Sequence, residues 1–298
     1  MIRVHFETPR TFGFSIHRVE KEFKRFAPED FQFVGRYDIK EADLIIVQFI
    51  GRDGLVDYLI EAGKPYVVIL YCITPGSNLG NIRSTYDYQM VKNACCTYSF
   101  HPLAEMGFAG NLLLGPLGVN PETFYMEPSV ERSNTIISTA WVAASEGFQE
   151  IYTAAKQSGG KVVHVGCPLT RECGDIFEDA FYIRYENVTD DKLRELYNSC
   201  KYVSGLRRSC GFELPVLEGL LCGSRPICFD NPYYTRWFKD LAIFVPETFD
   251  HLVEDLVAIF RSDYRPVMQD EIAYVVENFS WHKIAQNFWN FVRQSYTS

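Results

Sequence analysis

Residues 210 to 230, CGFELPVLEGLLCGSRPICFD, hold the groups best placed to do chemistry: Gly211, Phe212 and Glu213 before Pro215, and a second carboxylate, Glu218, three residues after it. Proline suits the first turn of a helix, where its missing N–H would have no partner, and Gly223 stands where a helix of about two turns would stop. The segment reads as loop, short helix, turn, then the strand Ile227 to Phe229. The start of such a helix presents backbone N–H groups that bind an anion, and a glycine before it lets a ligand come close to the chain. Arg207 and Arg208 precede the segment and Arg225 lies inside it, so positive charge is at hand; a solvated surface explains an arginine pair equally well. Glu218 also has an ordinary explanation, because a helix dipole stabilises a first-turn carboxylate by about 0.3–1 kcal/mol.

Such a loop needs a frame of strands and helices. Short apolar β-rich runs occur at Ile2 to Phe6, Phe31 to Val34, Leu44 to Phe49, Tyr66 to Leu70 and Cys96 to Tyr98. Helical patterns lie between them at Phe14 to Phe26, Leu55 to Ala62 and Ser84 to Lys92; in the first, Ile16, Val19, Phe23 and Phe26 recur at helical spacing. The polar stretch NPETFYMEPSVERSN, Asn120 to Asn134, breaks the rhythm and reads as a linker. The alternation restarts with strand Thr135 to Ser138, helix Gly147 to Gln157, strands Val162 to Gly166 and Phe181 to Ile183, helix Asp190 to Ser199 and strand Tyr202 to Gly205. Helices at Phe249 to Phe260, Met268 to Asn278 and Trp281 to Ser295 close the chain. This pattern predicts an α/β protein of two Rossmann-like, doubly wound domains, 1–125 and 126–298, facing a cleft with ligands at the carboxyl ends of the strands.

Bulk properties narrow the function. With 298 residues, 47% of them hydrophobic, each domain has enough chain and apolar surface for its own core. A net charge of -9 argues against stable nucleic-acid binding, which draws on excess Lys and Arg. Nine scattered cysteines with no C-x2-C pair, and six isolated histidines, point to free thiols and to no protein-built metal site. No apolar run is long enough to span a bilayer and the N-terminus MIRVHFETPR is not a secretory signal, so a cytoplasmic protein without a transmembrane segment is expected. A dinucleotide fold would need G-x-G-x-x-G after its first strand, where only Gly13 stands.

The block from Cys210 to Ile227 resembles the signature E-G-F-G-x-P-x-x-E-A-x-A-x-G-x-P-V-I of retaining glycosyltransferases of the GT-B fold, family 4. Three weaker echoes stand in the right order: GVNPETF (118–124), VTDDKLRELYNSC (188–200) and FSWHKIAQNF (279–288). The likeness covers roughly residues 95 to 298, and before residue 90 only the alternation agrees. It implies transfer of a sugar from a UDP- or GDP-linked donor, with no further cofactor and no metal, to an acceptor that is a saccharide, a lipid-linked group, a protein or a modified base. It further implies that Gly211, Phe212, Glu213 and Leu214 face the donor sugar and diphosphate, that Glu218 holds the ribose and that Arg207 or Arg208 neutralises the diphosphate. Gly166 and Tyr185 would flank the nucleotide, and Gly13 would approach donor or acceptor, though a simple turn explains that glycine equally well. His101 would reach the cleft, where a histidine contacts a sugar hydroxyl or relays a proton, although a lone histidine is more often structural. The last helix, 281–298, would cross back to the N-terminal domain. No catalytic residue is assigned.

Several positions depart from that pattern. The first glutamate of the signature is Cys210, Glu213 replaces a glycine, Trp141 and Glu146 stand where the family has an arginine and a lysine, and Tyr71 and Cys72 stand where it has a histidine. Two other functions compete: a catalytically inactive GT-B-like binding or scaffold protein, and a glucosyltransferase acting on modified DNA bases.

Overall fold

The computed structural model describes all residues except 9–13, 36, 50–53, 72–85, 140, 141, 143, 167–179, 209–211, 249 and 298. Contacts divide the chain into two compact units: Met1–Gly118 with Ser209–Phe212 and Trp281–Ser298, and Val119–Arg208 with Glu213–Ser280.

The first unit opens with β1 (Ile2–Glu7), α1 (Phe14–Arg25), β2 (Phe31–Phe33), β3 (Leu44–Phe49), α2 (Gly54–Glu61), β4 (Tyr66–Leu70), α3 (Tyr86–Asn93), β5 (Cys96–Ser99) and β6 (Leu112–Leu114). Its six strands pair in parallel in the order β2-β1-β3-β4-β5-β6. The central runs Leu44–Val47 and Tyr66–Leu70 are almost wholly buried, as strands covered on both faces must be.

The second unit contains β7 (Ser133–Ser138), α4 (Phe148–Ser158), β8 (Lys161–Val165), β9 (Tyr182–Tyr185), α5 (Asp190–Ser199), β10 (Cys200–Gly205), α6 (Leu214–Leu221), β11 (Arg225–Asp230), α7 (Pro232–Phe238), β12 (Ile243–Pro246), α8 (Leu252–Arg261) and α9 (Gln269–Phe279). Its sheet is also parallel, in the order β12-β11-β10-β7-β8-β9. The doubly wound α/β architecture expected from the alternation is therefore present in both units. Three elements carry too little pattern to be read: β6 is three leucines without alternation, β12 is four residues ending in proline, and α7 is a seven-residue helix capped by the Asn231 side chain.

The last helix, α10 (Trp281–Thr297), belongs to the first unit. Its apolar stripe of Trp281, Ile284, Ala285, Phe288, Trp289 and Val292 is buried. Phe288 stacks on Phe23 of α1 with ring centroids 4.3 Å apart, and the Trp289 indole N–H donates to the Phe23 carbonyl at 2.8 Å. The aromatic residues of this helix are core.

Two arginines fix the frame of the second unit. Arg225, expected to lend charge to the loop, instead starts β11 on the residue paired with Tyr202, three pairs before the end of β10, and is fully buried. Its guanidinium donates to Glu271 Oε1 and Oε2 at 2.8 and 2.7 Å and to the carbonyls of Leu241, Pro266 and Arg265. A buried charge is tolerable only with its donors engaged in this way. Arg132 gathers the carbonyls of Tyr197, Asn198, Cys200 and Cys222, placing a cation at the C-terminal ends of both α5 and α6. Gly223 follows α6 with φ of +83°, the left-handed stop that the sequence signalled, and the Arg132 guanidinium fills the space a side chain there would need.

Burial raises the Glu271 carboxyl pKa, but hydrogen bonds from Arg225 and the Met268 N–H, with the charges of Arg225 and Arg265, outweigh it and hold the value below normal. A depressed folded-state value gives stability that is present above the unfolded value, about 4.3, and is lost as pH falls through the folded one. Glu271→Gln is expected to cost about 3–5 kcal/mol at neutral pH by leaving Arg225 short of its counter-charge, and to flatten the acid limb of urea unfolding followed against pH. Arg132→Met should cost roughly 2–4 kcal/mol in the same assay at pH 7, since carbonyls at two helix ends lose a charged donor.

Candidate functional site

In the second unit the sheet order reverses between β7 and β10, the place where an open α/β sheet leaves a crevice at its strand ends. Two loops meet there. The one after β7 leads through Glu146 and Gly147 into α4, and the one after β10 carries Leu206, Arg207 and Arg208. The Arg208 N–H donates to the Ser145 carbonyl at 2.9 Å, tying the loops by their backbones. Gly147 caps α4 at φ +60°, where a side chain would press on Leu206 Cβ at 3.1 Å, so position and conformation both favour glycine.

Charge fills this junction. Arg207 Nε donates to Glu146 Oε2 at 2.5 Å, and its Nη1 lies 3.3 Å from Glu213 Oε1. Arg208 Nη2 is 3.3 Å from Glu150 Oε1, and its guanidinium carbon stands 4.8 Å from the centre of the Phe229 ring. Two arginines therefore face three carboxylates. Glu146 ends the short 3-10 turn Ala144–Glu146 and Glu150 stands in the first turn of α4, with the left-handed Gly147 between them. Neither glutamate was identified from the sequence as a partner of the arginines. The usable signal was the pair of carboxylates on either side of the glycine in EGFQE, at the start of a helix.

The start of α6 is more enclosed than the sequence suggests. Leu214 is its first residue and Pro215 its second; Phe212, Glu213 and Leu214 are 6%, 4% and 5% exposed. Glu213 stands at the N-cap without a side-chain cap bond, and burial together with its charge pushes the pKa of the buried Cys228 thiol up. Glu218 lies in the second turn rather than the first, so the helix-dipole explanation loses its footing, the dipole effect being confined to the first turn. Its carboxylate is 4% exposed and accepts the Tyr197 hydroxyl of α5 at 3.2 Å.

Gly166 and Tyr185 follow or end the neighbouring strands β8 and β9, and the Gly166 N–H donates to the Tyr185 carbonyl at 3.2 Å. The structure thus brings Gly166 with Tyr185, Arg207 with Arg208 and Glu213, and Glu218 with Tyr197. Phe212 belongs to the first unit and packs against Phe100, ring centroids 5.8 Å apart. His101 also lies there, beside a cavity of about 90 Å³ lined by Ser99, Glu105 and the β6 leucines. Burial lowers its pKa to about 4 against a hydrogen bond with the Tyr71 backbone, so its imidazole is neutral at pH 7. Gly13, Trp141, Cys210 and Gly211 lie outside the described residues. Among the described residues no group of three or more His, Cys, Asp or Glu side chains is placed to hold a metal ion, and no helix is long and apolar enough to cross a membrane.

Neither protein-family models nor curated proteins match the chain. Solved structures do. HepE of Anabaena in complex with UDP-glucose superposes with a TM-score of 0.74 at 12% identity, over 99% of this chain and 100% of that one. Sucrose-phosphate synthase from Thermosynechococcus elongatus gives 0.69 at 15% identity over 97% and 82% of the two chains. AviGT4, a glycosyltransferase involved in avilamycin A biosynthesis, gives 0.65 at 12% identity over 100% and 99%. Two six-stranded parallel sheets with flanking helices, matched along the whole chain, give this protein the GT-B fold of glycosyltransferases.

Proposed function

We propose that the chain is a retaining, nucleotide-sugar-dependent glycosyltransferase whose donor diphosphate is held at the β7/β10 switch point. The observation that carries this reading is the placement of Arg207 and Arg208 in that crevice, next to the N-terminal end of α4 and directly after β10. The leaving group of such a transfer is a nucleoside diphosphate, and cations aimed at it stabilise the charge that develops as the glycosidic bond breaks. Gly166 and Tyr185 at the ends of β8 and β9 would flank the nucleotide, with Glu213, Leu214 and Glu218 on the α6 side; Gly13, Gly211 and Phe212 complete the proposed donor set. HepE, solved with UDP and with UDP-glucose, supports a uridine nucleotide as the first donor to try. Retention is supported by the likeness of the 210–227 block to family 4. The acceptor is open: a saccharide, a lipid-linked group, a protein or a modified base.

The ion pairs dictate how a diphosphate would enter. Arg207 already touches Glu146 and Glu213, so an arriving phosphate exchanges with a carboxylate rather than meeting a vacant cation. The same observation favours a second reading, a GT-B scaffold whose arginines serve only to tie loops together.

Thermal unfolding with millimolar UDP, GDP and their sugars separates the two. A ligand that binds the folded state raises the unfolding temperature. Wild type should be stabilised by at least one nucleotide, and Arg207→Met should weaken that binding about 10- to 100-fold, the worth of a charge-assisted hydrogen bond. No shift with any nucleotide leaves the scaffold reading. The anomer first released on donor hydrolysis, followed by proton NMR, tests retention.

A further inference from the structure

The two carboxylates on Arg207 are held unequally. Glu146 Oε2 accepts the Arg207 Nε–H at 2.5 Å, whereas Glu213 Oε1 stands 3.3 Å from Nη1. Glu146 lies on the loop after β7, which the Arg208 N–H ties to the loop after β10 through the Ser145 carbonyl, so this carboxylate is fixed to the same framework as its arginine. Glu213 comes from another element. It occupies the N-cap of α6, where its side chain makes no capping bond and faces Arg207 instead. An anion that arrives at Arg207 therefore exchanges with Glu213 more readily than with Glu146.

The charge balance of the junction is unfavourable to such an anion. Arg207 and Arg208 are set against Glu146, Glu150 and Glu213, two cations against three carboxylates. The flanking sequence, 139–145 and 209–212, adds no charge of either sign. A diphosphate brings further negative charge to the side of Arg207 that Glu213 faces, and like charges at that range disfavour the ionised form of one partner.

Burial decides which partner gives way. The Arg207 side chain is 25% exposed and open to an incoming phosphate, while Glu213 is 4% exposed. Arg207 faces Glu213 from the β10 loop, Glu146 lies across the same guanidinium, and the fully buried Cys228 of β11 stands close enough that burial and then the Glu213 charge push its thiol pKa up. An ionised carboxylate enclosed in this way is tolerable beside a cation and costly without one. Glu213 cannot reach water to regain hydration, so the way to remove the cost is to take up a proton.

We propose that Glu213 is a built-in counter-anion of the donor site: a nucleoside diphosphate displaces it from Arg207, and the displaced carboxylate takes up a proton from solvent, so that nucleotide binding is coupled to protonation. The ligand class rests on the glycosyltransferase reading. Glu213 then restrains binding where its place in the 210–227 block suggests that it assists, and the site selects ligands whose charge is enough to compete with a carboxylate for Arg207. Because the complex is the protonated state, affinity rises as pH falls.

The full chain is titrated by calorimetry with UDP-glucose, UDP and pyrophosphate, from about pH 6 to about pH 8 and in buffers of different ionisation enthalpy, as wild type, Glu213→Gln and Glu146→Gln. Both phosphates of UDP-glucose are diesters that do not ionise in that range, so protons taken up with it belong to the protein. Wild type should take up as much as about one proton per UDP-glucose and bind more weakly as pH rises, by up to about tenfold per pH unit. Glu213→Gln should bind UDP-glucose about tenfold more tightly at the alkaline end, the worth of one charge-assisted bond, with neither proton uptake nor pH dependence. Glu146→Gln should still take up the proton. UDP-glucose bound by wild type without proton uptake, or no more tightly by Glu213→Gln, overturns the counter-anion and leaves the nucleotide reading standing. Should Glu213→Gln fail to fold, the wild-type proton count decides. If pyrophosphate binds and neither UDP nor UDP-glucose binds any of the three proteins, the nucleotide reading falls, and the pyrophosphate affinities of wild type and Glu213→Gln decide the role of Glu213. No binding of any of the three ligands overturns both.

Discussion

The hydrogen-bonded pairing of β10 with β7 determines most of what is distinctive in the second unit. Tyr202 pairs with Ile136 and Val203 with Ile137, although α4, β8, β9 and α5 lie between them in sequence. Because β10 takes the free side of β7 rather than the far side of β9, the loops leaving both strands emerge next to each other. That adjacency, with the Arg208 N–H bonded to the Ser145 carbonyl, brings Glu146 and Arg207, 61 residues apart, to a shared hydrogen bond. The crevice exists because the order of the strands reverses there, and its electrostatics exist because the two loops carry opposite charge. Arg132 and Arg225 act on the same frame from elsewhere, one closing the ends of α5 and α6 and the other anchoring the start of β11.

Much of this frame could be read from the sequence, and the limits have physical causes. Strands such as Leu44–Phe49 and Tyr66–Leu70 are continuous apolar runs because both faces are covered, so they stand out against their helices. The helix at Pro215 and its stop at Gly223 were legible because local backbone chemistry sets both ends. Among the strands of three or four residues, β2, β5 and β9 were legible and β6 and β12 were not; the last two carry no alternation of their own and take their hydrogen bonds from β5 and β11.

The candidate site was legible in composition but not in pairing. Adjacent arginines announce charge, yet whether that charge faces solvent, a ligand or a carboxylate depends on which loop lies opposite. Arg225 shows the extreme case: three residues from Cys222 in sequence, it is buried against a glutamate 46 residues away. Glu218 shows the reverse, since its helix was foreseen while the hydroxyl of Tyr197, on a different helix, was not. Sequence spacing resolves neighbours within one element and is blind to neighbours across two.

The membership of α10 bears on the order in which the protein acquires its shape. Residues 119–280 contain everything the second unit needs apart from a short excursion at 209–212, whereas the first unit lacks Trp281, Phe288 and Trp289 until the very last helix is made. On a ribosome the amino-terminal half emerges first yet finishes last, with Phe6, Phe23 and Phe31 waiting uncovered for their aromatic partners. The first unit is thus closed by a helix that follows the whole of the second unit in sequence, and apolar surface left uncovered until that helix is made is the kind that chaperones and self-association act on.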